Sequence, residues 1–281
     1  MAPGEKTSDP RKVPPPIRQD RTLADYVDRL QSNGVYVFRR EDAMAALASS
    51  EIAVQHAVRR LAAKGRIAVP TRGFVVVVPQ EYRHAGSPPP SWFIDELMKF
   101  HGRPYYVGLL SAAALHGASH QQPQQFQVVT DARLRAAKAG RVQLRFFLKK
   151  RLDATPTLEV KTTTGTMRVS TPEATAFDLV RYVWGTGQLG NVATVLAELA
   201  EKLDPKKMVR AARSDVELSV VQRTGFLLDQ VGARRATEQL APWLQTQKPN
   251  VTALRPDKDS KACLRDERWL VIVNEQVEAD E

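Results

Sequence analysis

Sulfur chemistry is nearly absent from this sequence. Cys263 is the single cysteine among 281 residues, so no disulfide can close within the chain and no multi-cysteine zinc site can be built from it. That usage fits a reducing compartment. No apolar run approaches the ~20 residues needed to span a bilayer, and Met1-Ala2-Pro3-Gly4-Glu5-Lys6 lacks the apolar stretch of a signal peptide. A cytoplasmic protein without membrane contact is expected.

The signatures of catalysis are equally sparse. There is no G-x-x-x-x-G-K-[ST] run and no G-x-S-x-G elbow. Gly185-Thr186-Gly187-Gln188-Leu189-Gly190 matches the spacing of a dinucleotide fingerprint, but a helical pattern precedes it where a strand is required. Pro205 stands in the region where the ribose-binding acid belongs, so a loop between helices is the better reading. His116 and His120 have the four-residue spacing of paired ligands, yet Gly117 separates them and no H-E-x-x-H follows; His116 is expected to hydrogen-bond at the end of its helix. Glu173 and Asp178, five apart on one helix, diverge instead of forming a carboxylate pair. A nuclease or nucleotidyltransferase would need clustered acids for a metal, and no such run is found. No cofactor, no metal and no enzymatic activity are expected.

What the sequence does have is positive charge. Lys and Arg number 41 against 31 Asp and Glu, a net charge of +10, which favours a polyanion as partner because each neutralised phosphate releases counterions. The first third has the higher positive charge density. Farther along, residues 132–152 hold Arg133, Arg135, Lys138, Arg141, Arg145, Lys149, Lys150 and Arg151 and no acid. This stretch reads equally as a solvated strand and loop or as a second surface for phosphates or RNA.

Proline divides the chain. Pro3, Pro10 and Pro14 to Pro16 among charged and small residues predict a disordered leader over residues 1–20. Gly86-Ser87-Pro88-Pro89-Pro90 predicts a linker over 86–91, separating a module at 21–85 from another at 92–281.

The first module reads as a winged helix-turn-helix. Thr22 caps a helix over Leu23 to Ser32 with Leu23, Tyr26, Val27 and Leu30 on one stripe, and Asn33-Gly34 stops it. A short strand over Val35 to Phe38 precedes a second helix from Glu41 to Ala48, with Ala43, Met44 and Leu47 inward. Ser49 or Ser50 then caps a third helix that buries Val54, Ala57, Val58 and Leu61 and ends at Lys64-Gly65. Ile67 to Pro70 and Phe74 to Val78, joined through Thr71-Arg72-Gly73, form the wing. In this arrangement the third helix enters the major groove and the wing tip meets the backbone. Ser49, Ser50 and Gln55 are candidates for base edges; Arg39, Arg40, Arg59, Arg60, Lys64 and Arg72, with Thr71 at the wing tip, are candidates for phosphates. A basic triplet on a helix is by itself usually a solvated face, and the consecutive order of elements is what turns the reading toward double-stranded DNA.

The second module reads as α/β, or α+β, with a small sheet. Helices are predicted over Trp92 to Phe100 and Leu109 to His116, strands over Phe126 to Thr130 and Val142 to Leu148, and a hairpin through Leu158 to Lys161 and Met167 to Val169. Thr171-Pro172-Glu173 opens a helix, with Thr as cap, Pro at its first position and Glu set against its dipole. Further helices follow from Asn191, from Pro205 behind Asp204, and over Glu217 to Val231, with a closing strand over Trp269 to Val273.

Four landmarks of this module, taken in order, resemble the AbiEi family of antitoxins. They are Tyr105-Tyr106-Val107-Gly108 through Leu115-His116-Gly117; Thr171-Pro172-Glu173 with Phe177-Asp178-Leu179; Gln222-Arg223-Thr224-Gly225-Phe226-Leu227-Leu228; and Trp269-Leu270-Val271-Ile272-Val273-Asn274. With the winged helix the resemblance covers nearly the whole chain after the leader. It implies a type IV toxin-antitoxin system of phage defence, encoded by two adjacent genes, whose winged helix represses its own promoter at inverted repeats. The second module would counteract a nucleotidyltransferase toxin without a stable complex. Thr224 stands where the family pattern has leucine after the arginine, and the basic stretch from Arg133 to Arg151 maps to no family motif. A ligand-responsive winged-helix regulator is the alternative, and a nucleic-acid-processing enzyme with a DNA-binding head a more distant one.

Overall fold

The computed structural model describes residues 20–118 and 124–277. The leader expected over 1–20 and His120 therefore lie outside the described residues, apart from Asp20, whose carboxylate accepts hydrogen bonds from the Arg29 guanidinium at 2.7–3.2 Å.

The first module, the head, begins with α1 (Leu23–Ser32), held at its start by a reciprocal pair of bonds between Thr22 and Asp25. Then come β1 (Val37–Arg39), α2 (Arg40–Leu47), α3 (Glu51–Ala63), β2 (Ile67–Thr71) and β3 (Phe74–Val77). Strand β3 lies between β1 and β2, antiparallel to both. Ala48 takes a left-handed backbone (φ 45°) in the tight turn between α2 and α3. Leu23, Tyr26, Val27 and Leu30 of α1 join Ala43 of α2, and Val54, Val58 and Leu61 of α3, in one core over the sheet. This is the winged-helix arrangement.

The second module, the body, is mixed α/β. It opens with α4 (Ile94–His101), β4 (Tyr105–Val107), α5 (Leu109–Leu115), β5 (Gln125–Thr130), β6 (Ala137–Ala139), β7 (Val142–Leu148), β8 (Thr157–Thr162) and β9 (Gly165–Ser170). These strands form a six-stranded sheet in the order β6-β7-β5-β4-β9-β8, parallel at β5/β7 and β4/β9 and antiparallel elsewhere. Helices α6 (Pro172–Arg181), α7 (Gln188–Leu199), α8 (Pro205–Asp215), α9 (Leu218–Gln230), α10 (Arg234–Thr237) and α11 (Leu240–Thr246) follow. Short strands β10 (Thr252–Ala253), β11 (Arg265–Asp266) and β12 (Val271–Ile272) make a separate small sheet.

Two expectations change. The closing strand shrinks to Val271–Ile272, because the Trp269 backbone N–H donates to Asp266 Oδ1 (2.8 Å) and Leu270 takes a left-handed backbone (φ 53°); the wholly buried Trp269 indole N–H donates to Asp229 (2.9 Å). The helix expected from Asn191 begins at Gln188, so the fingerprint-like Gly185 to Gly190 runs from the connection between α6 and α7, where Gly187 is left-handed (φ 86°), into the first turn of α7.

Segment 86–91 joins head and body, but it is no free tether. Ser87 and Pro88 are buried, and the Trp92 ring contacts Tyr36 and Tyr82 of the head at centroid distances of 4.8 and 5.3 Å. Gly86 and Gly140 meet backbone to backbone, a contact that no Cβ would allow, and the Arg141 N–H donates to the Ala85 carbonyl (2.8 Å). The head's sheet is consequently covered on both faces. Val75 and Val77 face the three helices, whereas Phe74, Val76 and Val78 lie in a second core with Ile94, Leu97, Met98, Val107 and Val128 of the body.

Candidate nucleic-acid interface

Helix α3 leaves one face uncovered. Ser50 caps it, its hydroxyl accepting from the Ala53 N–H (3.3 Å). Val54, Val58 and Leu61 face the core, so the 3.6-residue period turns Ile52, His56, Arg59 and Arg60 to solvent, and all four are exposed. Lys64 is exposed at the helix end and Arg72 at the wing tip. Among the described residues none of Arg59, Arg60, Lys64 and Arg72 has a carboxylate partner.

The structure ties the wing to the start of α2 and α3. Arg39 is registered against Phe74, the Arg40 N–H donates to the Gly73 carbonyl (2.9 Å), and the Arg40 guanidinium reaches Glu51, the first residue of α3, at 3.3 Å. Arg39, Thr71 and Arg72 are thereby gathered at one end of the sheet. The body adjoins this end: Phe100 of α4 lies 3.3 Å from where a Gly73 Cβ would sit, and the Arg39 guanidinium stands over its ring at 5.6 Å. Burial lowers the pKa of the neighbouring His101.

The predicted contact residues are not equivalent in this geometry. Arg40 is 15% exposed and engaged with Glu51, so its charge is largely spent on holding α2 to α3. Ser49 is half-buried and donates to the Leu47 carbonyl (3.1 Å), and Gln55 lies half-buried on the flank of α3. The centre of the exposed stripe is Ile52, His56 and Arg59, spaced i, i+4 and i+7. His56 was expected on this outward face but not among the contact residues, and Ile52 lies outside both expectations because an apolar residue in a helix is read first as core.

The basic stretch of the body divides as well. Arg133, Arg135, Lys138, Arg141, Arg145, Lys150 and Arg151 are exposed, but Lys149 is not part of that surface. Its side chain is 5% exposed, with Nζ 3.5 Å from both Asp178 Oδ1 and the Tyr106 hydroxyl. Tyr106 donates to Asp178 Oδ2 at 2.7 Å, and burial together with that carboxylate holds its pKa well above the usual phenol value. Alternation from Phe147 onward explains the difference: Phe147 and Lys149 turn to the buried side, where Phe147 joins the core that holds Tyr106, whereas Leu148 and Lys150 turn out to solvent.

The acids weighed for catalysis both make buried contacts between elements. Asp178 belongs to this buried cluster, and Glu173, buried too, accepts from the Asp204 N–H at 3.2 Å, tying α6 to the start of α8 instead of serving only its own dipole. His116 Nε2 stands 2.7 Å from the Ser170 carbonyl oxygen. Among the described residues no group of three or more His, Cys, Asp or Glu is placed to hold a metal ion. No helix among them is long and apolar enough to cross a membrane.

A winged-helix head with an exposed basic face, fixed to an α/β body, is the architecture a DNA-binding regulator would need. Comparison with known proteins narrows it. A family model described as the AbiEi antitoxin C-terminal domain matches residues 106–230, and one described as a transcriptional regulator, AbiEi antitoxin, matches residues 25–78. The chain belongs to the AbiEi antitoxin family. No curated protein matches the sequence. The crystal structure of the RV2827C protein from Mycobacterium tuberculosis is similar in fold, with a TM-score of 0.62 and 16% identity over 90% of this chain and 93% of that one.

Proposed function

We propose that this antitoxin-family regulator binds double-stranded DNA through α3 and the wing, represses its own promoter at inverted repeats, and counteracts a nucleotidyltransferase toxin encoded beside it in a type IV system. The observation that carries the DNA reading is the exposed row of Arg59, Arg60, Lys64 and Arg72 without carboxylate partners on the surface that a winged helix turns to the major groove. Ser50 and Gln55 flank that row, and Arg39 and Thr71 stand at its wing end. The exposed cations between Arg133 and Arg151 are a second phosphate-contacting region of the same protein, since the β6–β7 turn that carries some of them is fastened to the head through Gly140.

Binding of the full chain to its own promoter duplex, followed by fluorescence anisotropy across a salt series, tests the first part. Affinity that falls steeply with salt and discriminates the promoter from scrambled duplex is expected; equal, weak binding to both overturns it. Co-expression with the adjacent nucleotidyltransferase gene tests the second. Growth is restored by the full chain if the reading holds, and arrest that persists removes the antitoxin role proposed here.

A further inference from the structure

Ile52 is 68% exposed, the most solvent-exposed large apolar side chain of the head, and it occupies the first turn of α3. A β-branched residue there adds nothing to the core and is not a favoured helix former. Its surroundings are polar and basic. Ser50 precedes it, His56 and Arg59 follow on the same stripe, and the nearest acid, Glu51, is already engaged with Arg40. A docking surface for an apolar protein partner would place other large apolar groups beside Ile52, and the exposed positions of α3 around it are Ala53, His56, Arg59 and Arg60. The charge on this face selects a nucleic acid, and the apolar group that a major groove presents is the C5-methyl of thymine.

We infer that Ile52 is a specificity-determining residue: it seats against a thymine methyl in the major groove and favours thymine at that position over bases that lack one. The inference rests on the DNA-binding reading above. Its place fits, because residues in the first turns of a recognition helix reach base edges while cations farther along and on the wing hold phosphates.

The test begins with duplexes selected by the full chain from a randomised pool. Each thymine of the winning site is replaced singly by deoxyuridine, which removes only the methyl group. At one position in each half-site the wild-type protein is expected to bind about three- to tenfold more weakly, the size of one lost apolar carbon contact. Ile52→Ala is expected to bind thymine and deoxyuridine duplexes equally at that position while keeping its salt dependence. The inference is overturned if no single replacement weakens the wild type, or if Ile52→Ala keeps the full deoxyuridine penalty. Failure of the chain to enrich any duplex overturns the DNA reading together with it, whereas selective, salt-dependent binding indifferent to methyl groups removes Ile52 alone. Circular dichroism of Ile52→Ala, whose replaced side chain is largely in solvent, confirms that the comparison is made on folded protein.

Discussion

Two stretches of this chain are rich in arginine and lysine, and the fold uses them differently. On α3 the cations follow a helical period, so one face is core and the other collects Arg59 and Arg60 in solvent. Between Arg133 and Arg151 they follow a strand and its loops, and the change of face at every residue sends Lys149 into the interior against Asp178 while Lys150 stays outside. A count of charges treats the two regions alike. The energetics of Arg59 and Lys149 are opposite: a solvated cation costs nothing to keep and attracts a polyanion, whereas a buried one must be matched inside the protein.

The sharpest way to break this comparison is Lys149→Ala. Removing one member of a buried pair leaves the other uncompensated, so a loss of about 3–5 kcal/mol in unfolding free energy is expected by chemical denaturation. Lys149→Met combined with Asp178→Leu should recover most of it, because both charges then leave together. Next in size is Arg59→Ala with Arg60→Ala. Stability should barely move, while affinity for the promoter duplex falls by one to two orders of magnitude, each lost phosphate contact lowering the salt slope by ~0.9 in anisotropy titrations. Arg135→Ala with Lys138→Ala, on the outer face of the body, is expected to reduce the slope in the same assay but to cost less affinity than the α3 pair, since it lies off the recognition helix. A slope equal to wild type would remove these two cations from the contact surface. Smallest is the pair of serines: Ser50→Ala should lose about 1 kcal/mol of stability with its cap, and Ser49→Ala less, as read from thermal melts.

The head was legible because each of its elements carries its own punctuation. Thr22 and Asn33 bound α1, Ser50 opens α3, and Gly73 turns the wing, so local capping and periodicity suffice. In the body the same holds for Thr171 and Asp204, both of which cap the helices expected of them. Strand β4 has three residues and α10 four, too short for any period to register. The family landmarks acquire a physical meaning only in three dimensions. Tyr106 of the first meets Asp178 of the second, while Gln222 of the third donates to the Trp269 carbonyl (3.0 Å) and Gly225 leaves room for that indole. The exposure of Ile52 was not legible because it depends on which face of α3 its neighbours cover, and the ion pair of Arg40 was not because its partner Glu51 belongs to the next helix.

One clue was in plain view. Phe74-Val75-Val76-Val77-Val78 has no polar residue at alternate positions, and a wing with one face in water would need them. That run is the record of a sheet with two tenants. Exchange of the head for another winged helix at residue 86 would demand a replacement whose underside fits Ile94, Met98 and Val107, so heads and bodies in this architecture are expected to have been inherited together and not shuffled as independent parts.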